Sequence, residues 1–400
     1  MRDSLKSMRL VITSHVVHYG NRGALFAYGP YAREIDLWAD LFKEVVIASP
    51  YIESEPPGDC LAFSRPNISI SPQRMAGGET LRAKLWLALS MPVMIVGLAR
   101  ALWRADAIHV RCPGNLGLLG CCLAPLLSRR LVAKYAAQWN PAVNEPWSAR
   151  FQKFVLRSRW WRGPVTVYGE WPGQPRHVVP FFTSLLSGEH LQRARQASLR
   201  PRNGRPLRIL YTGRLSTSKN VDSVIHSVAE AKSKGCELAL TIVGTGPERP
   251  HLESLVRESG LSGLVDFTGG ITFASVIDRL EQADVLVLTS ETEGWPKSIA
   301  EGMAFGLVCI GANRGFVPEM LAEGRGLVVE PGNRQALSAL LVDIAQHPET
   351  YGEMRTKAAA WAQRFSLEGL REAIHQLLVK HWAIDLPSAP SEVPCSSRQT

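Results

Sequence analysis

The chain has 400 residues, 46% of them hydrophobic and 20% charged. That is enough for two cored domains and excludes a disordered chain. A net charge of +9 and a pI near 9.3 call for an anionic partner such as a nucleotide, a lipid headgroup or nucleic acid. The seven cysteines, odd in number and without a CxxC, read as free thiols in a reducing compartment rather than disulfides or metal ligands.

In chain order, a polar start runs directly into a strand at 9–13, so no signal peptide is expected. The loop at 15–30 carries Gly20, Gly23 and Gly29, spread too widely for a dinucleotide GxGxxG fingerprint. A helix at 31–41 and a strand at 44–48 follow. Residues 53–80, rich in Pro, Ser and Gly, read as loop with a short strand at 68–70. Residues 80–104 form a long helix. Its apolar stretch is interrupted by Pro92, Gly97 and Arg100, which predicts a core or interfacial helix rather than a membrane span. The expected protein is soluble or peripheral and cytoplasmic, with contact at the inner face of the membrane allowed.

A strand at 107–111 carries His109 and Arg111. A histidine in such a strand is ordinarily a core residue, and His15 and His18 read the same way. Helix 116–127, strand 131–137, an amphipathic basic helix at 146–162 and strands at 165–168 and 177–181 complete an N-terminal unit, residues 1–185. Residues 186–206, ending in SLRPRNGRP, read as a linker. Residues 207–365 then alternate strand and helix, the pattern of a doubly wound parallel sheet. A closing helix at 366–385 and a Pro/Ser-rich tail at 386–400, expected to be disordered, end the chain.

Three loops of the second half carry chemistry. After strand 207–212 comes GRLSTSKN: Gly213 permits a tight exit, Arg214 and Lys219 supply cations, and Asn220 is a good N-cap. After strand 238–243, Gly244 and Gly246 suit a strand-to-helix turn, with Pro247 at the helix start. After the buried run 285–288 comes EGWPKSIAE. Pro296 fits the first helical position and Gly294 allows close backbone approach. Lys297 in the first turn opposes the helix dipole, which suggests an anion held there by N–H groups around Trp295, Pro296, Lys297 and Ser298. Glu293 and Glu301 flank that helix start. GxxxxGK[ST] is absent, so this is no P-loop, and no recognised nucleic-acid motif appears.

As a set, Arg214, Lys219, GTGPE and Glu293-x7-Glu301 resemble glycosyltransferase family 4, the retaining GT-B enzymes. The resemblance covers nearly all of 207–365; RCPGNLGLLG in the first half is similar in style. It implies an α/β GT-B fold: two Rossmann-like doubly wound domains facing a cleft, with a C-terminal helix crossing back to the first. It also implies a nucleotide-sugar donor bound mainly to the second domain. Arg214 and Lys219 would contact the diphosphate. Glu301 would accept from the ribose hydroxyls, and Glu293 would lie near the sugar, with Gly213, Gly244 and Gly246 lining the donor site. No cofactor or metal is implied, since no DxD motif occurs. The acceptor is expected to be a saccharide or lipid-linked saccharide, with Gly29, His109, Arg111 and Gln138 as first-domain candidates. The family's strand-end histidine is missing from Tyr135-Ala136-Ala137-Gln138, and its paired glycine appears only as Gly29-Pro30. Alternatives are a degenerate, non-catalytic partner subunit and an NDP-sugar epimerase on the same fold. The presence of all four charged residues argues against the degenerate subunit.

Overall fold

The computed structural model describes residues 4–74, 80–140, 145–202 and 206–384. Two parallel sheets dominate it. Their strands are short Val/Ile/Leu runs buried on both faces, as parallel sheets require. The first sheet runs, edge to edge, Val178–Phe181, Val165–Tyr168, Arg130–Tyr135, Ala107–Cys112, Arg9–Thr13, Glu44–Ser49, Ile68–Pro72. The second runs Val265–Gly269, Leu238–Val243, Leu207–Thr212, Val285–Leu288, Val308–Ala312, Leu327–Val329. In each sheet the first strand in sequence lies inside, and the order reverses beside it. Ligands of open α/β sheets bind at the C-terminal ends of the strands at that reversal. In the second sheet the reversal falls between Leu207–Thr212 and Val285–Leu288, so the loops beginning at Gly213 and Thr289 flank it.

The final helix, Leu367–Trp382, starts at Ser366, whose hydroxyl accepts from Gly369 N–H. It crosses to the first domain as expected. Leu370, Ile374 and Leu378 are buried with Ile35, Trp38 and Phe42 of that domain, and the Trp382 indole donates to Leu131 O at 3.1 Å.

Three expectations need correction. The loop at 15–30 is largely a hairpin, His18–Asn21 with Ala24–Tyr28, turning at Arg22 (φ 49°) and Gly23 (φ 79°). Paired positive φ values give the primed turn that matches strand twist. Tyr51–Glu53 and Cys60–Ala62 complete a small sheet around it. The helix expected at 146–162 is Trp147–Arg157; Ser158, in extended backbone, ends it. The stretch read as linker carries the helix Gly188–Ser198, capped by Ser187 and His190. Its Leu191, Ala194 and Ala197 are buried in the second core; small apolar residues in a basic segment concealed the period. The tail at 386–400 lies outside the described residues.

Candidate active site

Gly213 and Gly244 explain why two of the three loops read as glycine-bearing. The Gly213 N–H donates to Val243 O and Leu215 N–H to Thr245 O, so the loops continue the strand pairing past the sheet edge. A Cβ on Gly244 (φ +139°) would sit 1.9 Å from Gly213 O, and one on Gly246 2.0 Å from Leu215 O. These glycines are required for packing, and they set the path of Arg214. Gly246→Ala should therefore destabilise the fold by about 1–3 kcal/mol, the usual overpacking range, and weaken anion binding at the neighbouring loop. A thermal melt and a phosphate-ligand titration check both. Pro247 does not start a helix: the helix is Arg249–Glu258, with its proline, Pro250, in the first turn.

Asn220 is not a side-chain cap. Its backbone is left-handed (φ 49°) and its amide reaches across to Thr289 O (3.3 Å) and the Glu291 carboxylate (2.7 Å). The Thr289 hydroxyl donates back to Lys219 O and Asn220 O. These bonds weld the Arg214–Lys219 loop to the Glu291–Pro296 loop. Across the seam the Lys219 ammonium meets Glu293 Oε1 at 2.6 Å. Arg214 is exposed, and among the described residues no hydrogen bond or ion pair holds its guanidinium.

Pro296 sits one residue ahead of the helix Lys297–Ala304, in extended backbone (ψ 90°), rather than inside it. Ala300 N–H reaches Pro296 O, so the N–H groups before it have no acceptor within the helix. Glu301, one turn on from half-buried Lys297, is itself buried, and its Oε1 has no hydrogen-bond partner. Burial pushes its carboxyl up to about 7, against the pull of Lys297 and of Arg33 from the first domain. The Trp295 ring turns away from this polar edge into an aromatic cluster with Phe316, Trp361 and Phe365. Ser298 is half-buried beside it.

The first domain closes over these loops. A Cβ on Gly294 would lie 3.0 Å from the Tyr168 ring and 3.1 Å from Ala136 O. The loop carrying Gly294 thus touches the C-terminal ends of two first-domain strands. Half-buried Gln138 lies two residues beyond Ala136. Gly29 is buried at a helix start against Asp59 O. Its neighbour Tyr28 is exposed and within electrostatic reach of Glu301, Glu293 and Arg214. Arg33, on the same helix, lies over the Phe273 ring and feels Glu301. Tyr28 and Arg33 were missed in the sequence because nothing local marks them; the hairpin before them puts them there. The Arg22-Gly23 turn was the available signal.

The strand pair of first-domain candidates separates. His109 is fully buried, stacked on Trp38 at 4.4 Å, with neither ring nitrogen hydrogen-bonded. Burial drives its pKa down to about 3. It is a core residue, as strand histidines ordinarily are, and has no route to a ligand. Arg111 approaches buried Glu34 (3.5 Å), which is paired more closely with buried Lys134 (2.8 Å). Burial would raise the Glu34 carboxyl, but Lys134 and Arg111 hold it down at about 2. Buried His18 donates from Nδ1 to Val16 O (2.9 Å), with Ser49 Oγ 2.8 Å from the same nitrogen.

Residues 193–361 match the model of the family described as glycosyl transferases group 1. The chain is 28% identical over 201 residues to the alpha-D-kanosaminyltransferase of Streptomyces kanamyceticus, covering 49% of this chain and 52% of that one. It is 27% identical over 184 residues to the putative colanic acid biosynthesis glycosyltransferase WcaL of Salmonella typhimurium, covering 44% and 45%. The match thus spans about half the length of these curated relatives. Among solved structures, Anabaena HepE with UDP and glucose superposes at a TM-score of 0.66 and 16% identity, covering 93% of this chain and 99% of that one. Sucrose-phosphate synthase from Thermosynechococcus elongatus gives 0.66 and 19%, covering 94% and 100%. Two facing Rossmann-like domains and a helix that crosses back give the chain the GT-B fold of these solved structures, and its residues 193–361 are similar to the glycosyl transferases group 1 model.

Proposed function

We propose that this protein is a retaining glycosyltransferase that moves a hexose from an NDP-sugar to a saccharide or lipid-linked saccharide acceptor, without a metal or cofactor. One observation carries the reading: Lys219, Glu293, Glu301 and the start of Lys297–Ala304 converge at the strand-order reversal of the second sheet. Lys219, Arg214, Lys297 and the helix N–H groups supply positive potential for a diphosphate, fixed in place before the reaction. Glu301 has a free acceptor oxygen for ribose hydroxyls, and Glu293 lies on the sugar side. The bond between the anomeric carbon and the phosphate oxygen breaks, and its electron pair stays on the diphosphate. The acceptor hydroxyl oxygen forms the new bond on the same face and passes its proton to a diphosphate oxygen. The carboxylates serve as a binding clamp, not as the nucleophile–acid pair of a retaining glycosidase.

The relatives' names, a kanosaminyltransferase and a colanic acid biosynthesis glycosyltransferase, support sugar transfer in the assembly of larger glycans or glycosides. A cytoplasmic site of action is part of this reading. A panel of NDP-sugars is expected to contain one that raises the melting temperature through ligand linkage, by RT ln(1 + [L]/Kd), and is slowly hydrolysed. A panel with no stabilising member, tested to millimolar concentration, would refute the assignment.

A further inference from the structure

The first-domain sheet is covered differently on its two faces. One face packs the helices Gly29–Ala39 and Leu367–Trp382. The other packs Leu81–Leu102, Asn115–Leu127 and Trp147–Arg157, which lie side by side. Among the described residues nothing covers the outer surface of this second layer, and much of it is apolar. Along Leu81–Leu102, Ser90, Met94, Leu98 and Leu102 face inward and are buried. Leu85, Leu89, Val93 and Val96 form the opposite stripe and are 48–67% exposed, with Trp103 at 74% just past the helix end. Trp147 and Phe154 of the third helix are 73% and 67% exposed, and Leu126 of the second 67%. Single exposed apolar residues are ordinary, but a contiguous field of this kind on three adjacent helices marks an interaction surface.

The charge around it selects the partner. Residues 80–169, which contain all three helices, hold thirteen Lys and Arg against two acids, Asp106 and Glu145. The other 310 residues hold 32 basic and 34 acidic side chains. The whole positive charge of the chain therefore belongs to this segment. Arg82, Arg100, Arg104, Arg150, Arg157 and Arg159 are exposed. By helical angle Arg82 and Arg100 share the outward stripe of Leu81–Leu102, one near each end. Tryptophans and arginines bordering aliphatic side chains make the pattern of a surface that sits at the headgroup level of an anionic bilayer. A second copy of the chain would bring two such positive faces together. Leu98 and Leu102 of the long helix are packed in the sheet core, which holds the helix to the domain although it is long and apolar enough to cross a membrane.

We propose that this three-helix face docks the protein, lying flat, on anionic phospholipid bilayers. The inference stands apart from the sugar-transfer reading, since its test reads lipid binding alone. The full chain should co-sediment with vesicles of phosphatidylglycerol and phosphatidylcholine at low salt. It should bind pure phosphatidylcholine at least tenfold less and be weakened by 0.5 M NaCl through screening. Leu85→Ser/Leu89→Ser/Trp103→Ser and, separately, Arg100→Glu/Arg104→Glu should each lower the bound fraction more than tenfold while keeping the wild-type melting temperature. Three results would overturn the proposal: no binding by the folded wild-type chain; equal binding to neutral and anionic vesicles; or a lipid-indifferent dimer, seen by light scattering, that the same substitutions dissociate.

Discussion

Lys219→Ala should lower kcat for sugar transfer by about 10²–10³-fold, the range for removing one preorganised stabiliser of developing negative charge. The Lys219 side chain is a quarter exposed, and its partner is Glu293, at 2.6 Å. That contact places the ammonium at the mouth of the loop, where a diphosphate oxygen would take over from the Glu293 carboxylate. The loss should appear mainly in kcat, because charge on the diphosphate grows as the glycosidic bond breaks and the cation is worth most in the transition state. Lys219→Arg keeps the charge with another geometry and should recover part of the rate. A merely structural ion pair would show the opposite pattern: a lower melting temperature for Lys219→Ala and unchanged turnover in the folded fraction.

Glu301→Gln should separate stability from function. In the folded protein burial holds the Glu301 carboxyl at about 7, against 4.5 ordinarily. Below 4.5 folded and unfolded chains are both protonated. Between these two values the folded chain keeps a proton that the unfolded chain has released, so stability falls as pH rises. Above 7 the ionised carboxylate costs on the order of 3 kcal/mol. Glu301→Gln removes that cost. Its melting temperature should exceed the wild type at pH 8 and match it near pH 4. The price is donor binding. Ribose hydroxyls donate to an ionised carboxylate, so donor binding to the wild type should tighten about tenfold from pH 6 to pH 8 as the proton leaves. The Gln variant should bind weakly and without that slope. Calorimetry in buffers of different ionisation enthalpy would detect the released proton directly.

Much of the second-domain half of the candidate site was legible because the parallel-sheet pattern and its loops are local. Strand, glycine exit, cation and helix start follow one another within a few residues at 207–220 and 285–301. What joins the loops was not legible. Lys219 and Glu293 are 74 positions apart, and only the strand-order reversal makes them neighbours. Asn220 shows the limit of local rules. A residue type suited to capping used its amide instead to tie two loops together, because left-handed backbone turned it away from the helix it precedes. His109 shows the converse. Its place in a first-domain strand made it a candidate, but that strand position buried it against Trp38. Tyr28 and Arg33 depend on a hairpin whose turn residues, Arg22-Gly23, lack the usual Asn-Gly signature. The outward apolar stripe at 85–96 was visible as apolar sequence, but its exposure was not: period alone cannot say which face of a helix is covered.

The most direct test of the central claim is nucleoside diphosphate release from the NDP-sugar that stabilises the wild-type chain, followed by phosphorus NMR for wild type and Lys219→Ala at equal folded concentration. The proposed donor site predicts steady release by the wild type and a loss of at least 10²-fold in the variant. Equal release by both proteins would contradict it.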